Sequence, residues 1–284
     1  MKSLIIVLFI TLSIPLPGYS AEMPVLEGEN LHNLHQAPAR RLARVIDQLH
    51  LQGEDNRIIE LSGLEIPSDQ GGEAGDEAVA ARDFLEKLFE NPAERDLILY
   101  QTMTRTGQPD QGSTNRLGHD LAQLVRKQDH VWVQGALLAN GLARARPTPA
   151  NPELAEQMYA LEDLARQEKL GLWADDSPHR LRQAEEKMER LDRFAVVEGT
   201  VQKVSTVNNV TYLNFGPDWK TDFTIGIPAA TRQILARRGI DVFRLQGQKL
   251  RVRGWIRAYN GPYIELEHPV LLQQEKNEQD SAAE

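Results

Sequence analysis

The chain has no cysteine, which excludes disulfide staples, thiolate metal sites, a cysteine nucleophile and a lipidated cysteine behind a leader. Its core is held by packing alone. Long apolar runs are also missing: the one at Leu4 to Leu12 falls well short of the roughly 20 residues that a spanning helix requires. Positive charge is in deficit, with a net charge of -9, so a uniformly basic polyanion binder is excluded while one basic domain is not. There is no HExxH, no GxSxG, no P-loop and no GxGxxG between a strand and a helix, which removes the common metalloprotease, hydrolase and nucleotide-binding signatures. What remains is 41% hydrophobic and 26% charged, the composition of a globular chain, and 284 residues suggest about two domains at roughly 150 residues each.

Met1 and Lys2, the apolar run, Pro15 and Pro17, and the small residues Gly18 and Ser20 read as a secretory signal peptide. The mature protein is then expected in the periplasm or outside the cell, with no stable membrane anchor after cleavage. The expected organisation is a signal peptide over 1–20, a flexible arm over 21–39, a first domain over 40–176, a helical connector over 177–193, a second domain over 194–272 and a disordered tail over 273–284. The arm is punctuated by Pro24, Gly28 and Pro38 and holds His32 and His35, a pair with no third ligand nearby.

Strand-like runs cover Val45 to Leu51 and Arg57 to Leu64, with a turn at Gln52 to Asn56. Ala81, Phe84, Leu85 and Leu88 predict a helix, Asp96 to Thr102 and Asp120 to Val125 predict strands, and Val131 to Asn140 predicts a helix ended by Gly141. Asn151 and Pro152 form a helix start, followed by Leu154, Met158, Leu161 and Ala165. Ser177 and Pro178 open a second amphipathic stretch, with Leu181, Ala184, Met188 and Leu191 at spacings of 3, 4 and 3.

Several phrases in this order resemble one family. Ile59-Glu60-Leu61-Ser62-Gly63-Leu64-Glu65-Ile66-Pro67, Ala80 to Leu85, Asn115-Arg116-Leu117-Gly118-His119-Asp120-Leu121-Ala122, Val133 to Ala143, and Glu162, Ala165 and Gly171-Leu172-Trp173 are similar to the staphylococcal nuclease (thermonuclease) family. The resemblance implies a mainly β fold with helices (α+β), an OB barrel carrying helices, here followed by a second OB-like β-barrel. It also implies phosphodiester cleavage with one calcium ion held by aspartates, a glutamate that activates water and two arginines that stabilise the added charge.

The chain departs from that pattern at nearly every such position. Glu60 stands for the first arginine, Glu65 for the metal-ligand aspartate, Ser68 for the glutamate and His119 for the second arginine. The metal-binding turn is shortened to Asp47-Gln48-Leu49-His50, where Asp47 alone supplies an acid. Glu60 sets a negative charge where an arginine would meet phosphate, which opposes the same ligand. Two readings stay open. In one the site is a scaffold that has lost its chemistry and needs no cofactor; in the other Asp47, Glu65 and His119 form a rewired site using calcium or another divalent ion, with Glu65 and His119 as catalytic equivalents and Asp47 and Glu65 as ligands. Arg116 is a partial substitute for a lost arginine or a solvated loop residue.

Residues 194–272 hold ten basic against six acidic residues and nine of the seventeen aromatics. Alternation along Arg251 to Tyr259 places Arg251, Arg253, Trp255, Arg257 and Tyr259 on one strand face, a cationic and aromatic surface of the kind that single strands use. If Asn260-Gly261-Pro262 is a three-residue hairpin loop, Arg257 faces Glu265 and Trp255 faces Glu267, and the arginines pair across the strands instead. Several phrases here, among them Thr211 to Gly216 and Gly261 to Glu265, resemble an OB-type nucleic-acid-binding domain. The sequence reading is therefore an exported protein that binds single-stranded nucleic acid or another envelope protein without catalysis, with a metal-dependent nuclease as the alternative.

Overall fold

The computed structural model describes residues 23–26, 31, 34–67, 75–102, 113–148, 154–188 and 191–274. The expected signal peptide, His32, Ser68, Asn151, Pro152 and nearly all of the expected tail lie outside them. The described residues fall into two compact units, one within Met1–Ala145 and Glu156–Leu172, the other within Arg146–Ala155 and Trp173–Glu284. Among the described residues no helix is long and apolar enough to cross a membrane.

The first unit is built from strands β1 (Leu34–Val45), β2 (His50–Gly53), β3 (Ile58–Leu61) and β4 (Leu64–Glu65), helix α1 (Asp76–Leu88), strands β5 (Asp96–Thr102) and β6 (Asp120–Arg126), helix α2 (Val133–Ala139), strand β7 (Arg144–Ala145) and helix α3 (Ala155–Gln167). Five strands close into a barrel in the order β1-β2-β3-β6-β5. Leu51, Ile59, Leu97, Leu99 and Leu124 are fully enclosed in its core. The helices form where the spacing predicts them: α1 buries Ala78, Ala81, Phe84, Leu85 and Leu88, and α2 is buried along its whole length. Gly141, at φ +67°, ends α2 so close to the chain that a Cβ there would meet the Leu170 carbonyl oxygen at 2.2 Å.

Two expectations fail in this unit. The stretch read as an arm over 21–39 enters the barrel at Leu34, and before it Val25 bridges Val131 while Leu26 is buried. Pro38 hides the strand pattern because it sits where the β1–β5 register breaks, between Ala37 and Arg40, a position where a missing amide is tolerated. The run Val45 to Leu51 is two strands, split by a turn between β1 and β2 that Asp47 caps.

The second unit contains β8 (Arg182–Gln183), β9 (Arg193–Thr200), β10 (Lys203–Val207), β11 (Val210–Asn214), β12 (Thr224–Ile227), α4 (Ala229–Arg237), β13 (Lys249–Ala258), β14 (Pro262–Glu265) and β15 (Leu272–Gln274). Its sheet runs β10-β11-β12-β14-β13-β9-β8, with β15 also on β13. This repeats the order of the first barrel. β12 and β14 are parallel as β3 and β6 are, and β9 and β10, two residues apart in the chain, take the place of the bent β1. The OB-type order is present, although the hydrogen-bonded ring is closed only in the first unit.

The expected helical connector over 177–193 is not a helix at any described residue. Ala184 donates its amide to the Glu198 carbonyl at 2.8 Å and β8 joins β9 in parallel. Glu186 accepts from Arg180 at 3.0 and 3.1 Å and from Arg182 at 3.2 Å. Arg182 and Glu186, spaced as for a helical pair, instead help fasten a turn, because the sheet edge offers the backbone better partners. Trp173 is 3% exposed.

Candidate functional site

In the first unit, His50 at the start of β2 lies directly across from Glu60 on β3. His119 immediately precedes β6, whose residues Asp120 and Leu121 pair in parallel with Ile59 and Glu60. Three neighbouring strands thus bring together residues 50, 60 and 119. Their ligating atoms lie within 4.8 Å of one another, the one such group of histidine and carboxylate side chains among the described residues.

Each member is held by its own contacts. Asp47 accepts from the amides of Leu49 and His50 at 2.8 Å and from His50 Nδ1 at 2.9 Å, so His50 Nε2 is the nitrogen that faces Glu60, at 3.7 Å. Asn115 Nδ2 donates to Glu60 Oε2 at 2.7 Å, and Asn115 Oδ1 accepts the His119 amide at 3.0 Å. The His119 ring meets His50 edge-on at 5.3 Å, and its Nδ1 is buried with no hydrogen-bond partner among the described residues. Next in the chain, Asp120 is buried between Arg40 and Arg57, the latter at 2.6 Å, which pins the strand that carries His119. The Glu60 carboxylate, and after it Asp47, raise the His50 pKa against the opposing effect of burial. His50 and then Asn115 lower that of Glu60, again against burial.

Glu65 is elsewhere. It lies across from Arg144 in the β4–β7 pair, with Arg144 Nε and Nη2 both 2.6 Å from Oε2, and the Arg144 side chain is 3% exposed. Of the expected site residues, His119 joins a cluster, Asp47 supports it from outside, and Glu65 is drawn off by a buried ion pair. A calcium ion of the kind the resemblance implies takes six to eight oxygen ligands. With Asp47 spent on its turn, Glu65 on Arg144, and two imidazoles at the centre, the donor set among the described residues does not fit it. His50, Glu60 and Asn115 as one group were not legible in the sequence, because cross-strand register, not spacing, brings them together.

The second unit corrects the expected basic face. In β13 the alternation breaks: Val252, Arg253 and Gly254 are all buried. Arg253 is 1% exposed and donates to Gln273 Oε1 at 2.6 Å, since β15 lies along this half of β13. Arg251 donates to Glu198 at 2.7 Å, and Lys249 pairs with the same carboxylate at 3.0 Å. Neither arginine forms an open phosphate surface. The hairpin register also differs, with Arg257 across from Tyr263 rather than Glu265, because the loop is Tyr259-Asn260-Gly261 and takes two positive φ angles, 49° at Asn260 and 95° at Gly261.

What stays outside is aromatic. Trp255 is 41% and Tyr259 54% exposed, and Arg257 is exposed beside them. Tyr259 packs on Tyr263 at 5.2 Å. On the adjoining strands Tyr212 sits across from Gly226, over which the Tyr263 ring lies. Burial and then the nearby Glu265 push the Tyr263 hydroxyl up to about 12, so it stays a neutral donor. Tyr212 was missed as a member of this face, and the alternation along β11 was the available signal.

The comparisons agree with the topology. Residues 78–175 match the family described as staphylococcal nuclease homologue, a stretch that runs from α1 past α3, and no curated protein matches the chain. A closed five-stranded barrel with these helices is the fold the family implies. Through residues 78–175 this protein carries a staphylococcal nuclease-like domain.

Proposed function

We propose that this is an exported protein that binds single-stranded nucleic acid without cutting it. Binding is assigned to the outer face of the second unit, formed by Tyr212, Trp255, Arg257 and Tyr259, with the buried Tyr263 packed against Tyr259. The carrying observation is the exposed Trp255 and Tyr259 beside Arg257, flat rings and a guanidinium on β13 and the hairpin loop that follows it, which in this strand order is one of the loops OB folds use for oligonucleotides. The absence of catalysis is supported by the first unit, where Glu60 and His119 stand in place of the family's arginines and Glu65 is held by Arg144. A negative charge at Glu60 repels the phosphate that an arginine would hold.

The test uses the purified chain and end-labelled single-stranded DNA with calcium, magnesium or EDTA. The expected outcome is intact DNA in every condition, retarded by the protein, with W255A and Y259A each weakening binding about 5- to 150-fold, as loss of a stacked base worth roughly 1–3 kcal/mol requires. Cleavage that needs metal and is lost in E60Q would favour a rearranged hydrolase. DNA that neither binds nor is cut would leave an envelope protein as the partner.

A further inference from the structure

We propose that His50, Glu60 and His119 form a site for one divalent transition metal of the zinc class, independent of the nucleic-acid face. Two imidazoles and one carboxylate are a common three-ligand set for zinc, leaving one position for water or another ligand. The three side chains come from adjacent strands of a closed barrel, β2, β3 and the start of β6, which is a rigid frame for a small site. Their ligating atoms lie within 4.8 Å of one another. Around a tetrahedral ion with bonds of about 2.1 Å they would stand about 3.4 Å apart, so modest rotation of the His50 and Glu60 side chains, 27% and 32% exposed, closes the set.

The surroundings are those of a metal centre. Asp47 takes His50 Nδ1 at 2.9 Å and turns Nε2 towards Glu60, the carboxylate–histidine arrangement that fixes a ligand's tautomer and raises its basicity. Asn115 orients Glu60 at 2.7 Å. His119 carries a buried Nδ1 that no described residue satisfies, an unmet polar atom of the kind that marks an absent ligand. One carboxylate in the site and one behind it balance a doubly charged ion. Calcium and magnesium, which seek oxygen, match this set poorly, whereas imidazole-rich sites suit zinc, iron, cobalt, nickel and copper.

The competing account is an ordinary ion pair, His50 with Glu60, with His119 packed beside it. To separate the two, the untagged full chain is stripped with chelator and titrated with Zn²⁺ against a chromophoric chelator, then with Co²⁺ as a spectroscopic probe. The expected result is one zinc per chain, undisplaced by a large excess of calcium, with a visible cobalt band. E60Q and H119A each lose the stoichiometric site, and D47N weakens it about 10- to 100-fold. Glutamine preserves the shape of Glu60 and its acceptor for Asn115, so E60Q decides the matter if H119A does not fold. Absence of stoichiometric zinc, zinc retained by both E60Q and H119A, or zinc displaced by calcium would overturn the proposal. Intact single-stranded DNA binding in E60Q is expected in every case, so this outcome is separable from that of the nucleic-acid face.

Discussion

Glu65 and Arg144 are both acceptable surface residues by type, yet the β4–β7 pair sets them face to face with Arg144 3% exposed. An ion pair enclosed in this way contributes little over an apolar pair of the same volume, but breaking it strands a charge. R144A is therefore expected to lower stability by about 3–5 kcal/mol, read from the urea midpoint, while the double change E65Q with R144M recovers most of the loss. An R144A protein as stable as the parent would show that Glu65 finds water. The same logic governs Arg253, which donates to Gln273. Strand alternation tells which side a residue takes, not what later covers that side, and so the arginine read as the best phosphate contact lies inside.

At the level of elements, β13 joins two environments. Its first half lies between β9 and β15, and its second half between β9 and β14. In the first half Glu198 is the hub. Burial pushes its carboxyl up, but the hydrogen bonds and charges of Arg251 and Lys249 outweigh burial and hold it below the usual range. A carboxylate with a depressed folded-state pKa adds stability above its unfolded pKa of about 4.3 and loses it as pH falls through the folded value. E198Q is thus expected to be less stable than the parent at pH 7, with the gap narrowing as pH falls below the unfolded pKa and closing as it passes through the depressed folded one, measured by thermal unfolding across pH; a gap that never narrows in acid would count against this account. In the second half, the Tyr263 ring occupies the space over Gly226, where an added Cβ would lie 1.8 Å from the tyrosine oxygen. G226A is expected to cost about 1–3 kcal/mol by overpacking and to shift the tyrosine near-ultraviolet circular dichroism, since Tyr263 must move off β12. Unchanged spectra would mean that the strand yields instead.

Over the whole molecule, residues 194–272 carry an excess of four positive charges in a chain of -9, which at first sight marks a phosphate binder. The fold reduces that excess where it matters, because Arg251 and Lys249 are committed to Glu198 and Arg253 is enclosed. Binding through the remaining face should then rest on stacking more than on phosphate contacts. With only one or two phosphates neutralised, the logarithm of affinity for single-stranded DNA is expected to fall against the logarithm of salt with a slope of about -1, measured by fluorescence polarisation. A slope steeper than about -3 would place the binding surface among other basic residues.

By itself the sequence determined the helices of the first unit and its family likeness over residues 78–175. Ala81, Phe84, Leu85 and Leu88 define the buried face of α1, Gly141 ends α2, and the ordered phrases from Ile59 to Trp173 point to a nuclease-like barrel. These rest on short-range periodicity and on the few conformations that turns allow, and both are written along the chain. Only the tertiary structure decided that residues 182–183 add an edge to a sheet, that Arg253 is covered, and that His50, Glu60 and His119 meet. Each of these depends on strand register and on which distant segment arrives alongside. A slip of one residue there turns every side chain to the other face, so no reading of neighbours in the chain can supply them.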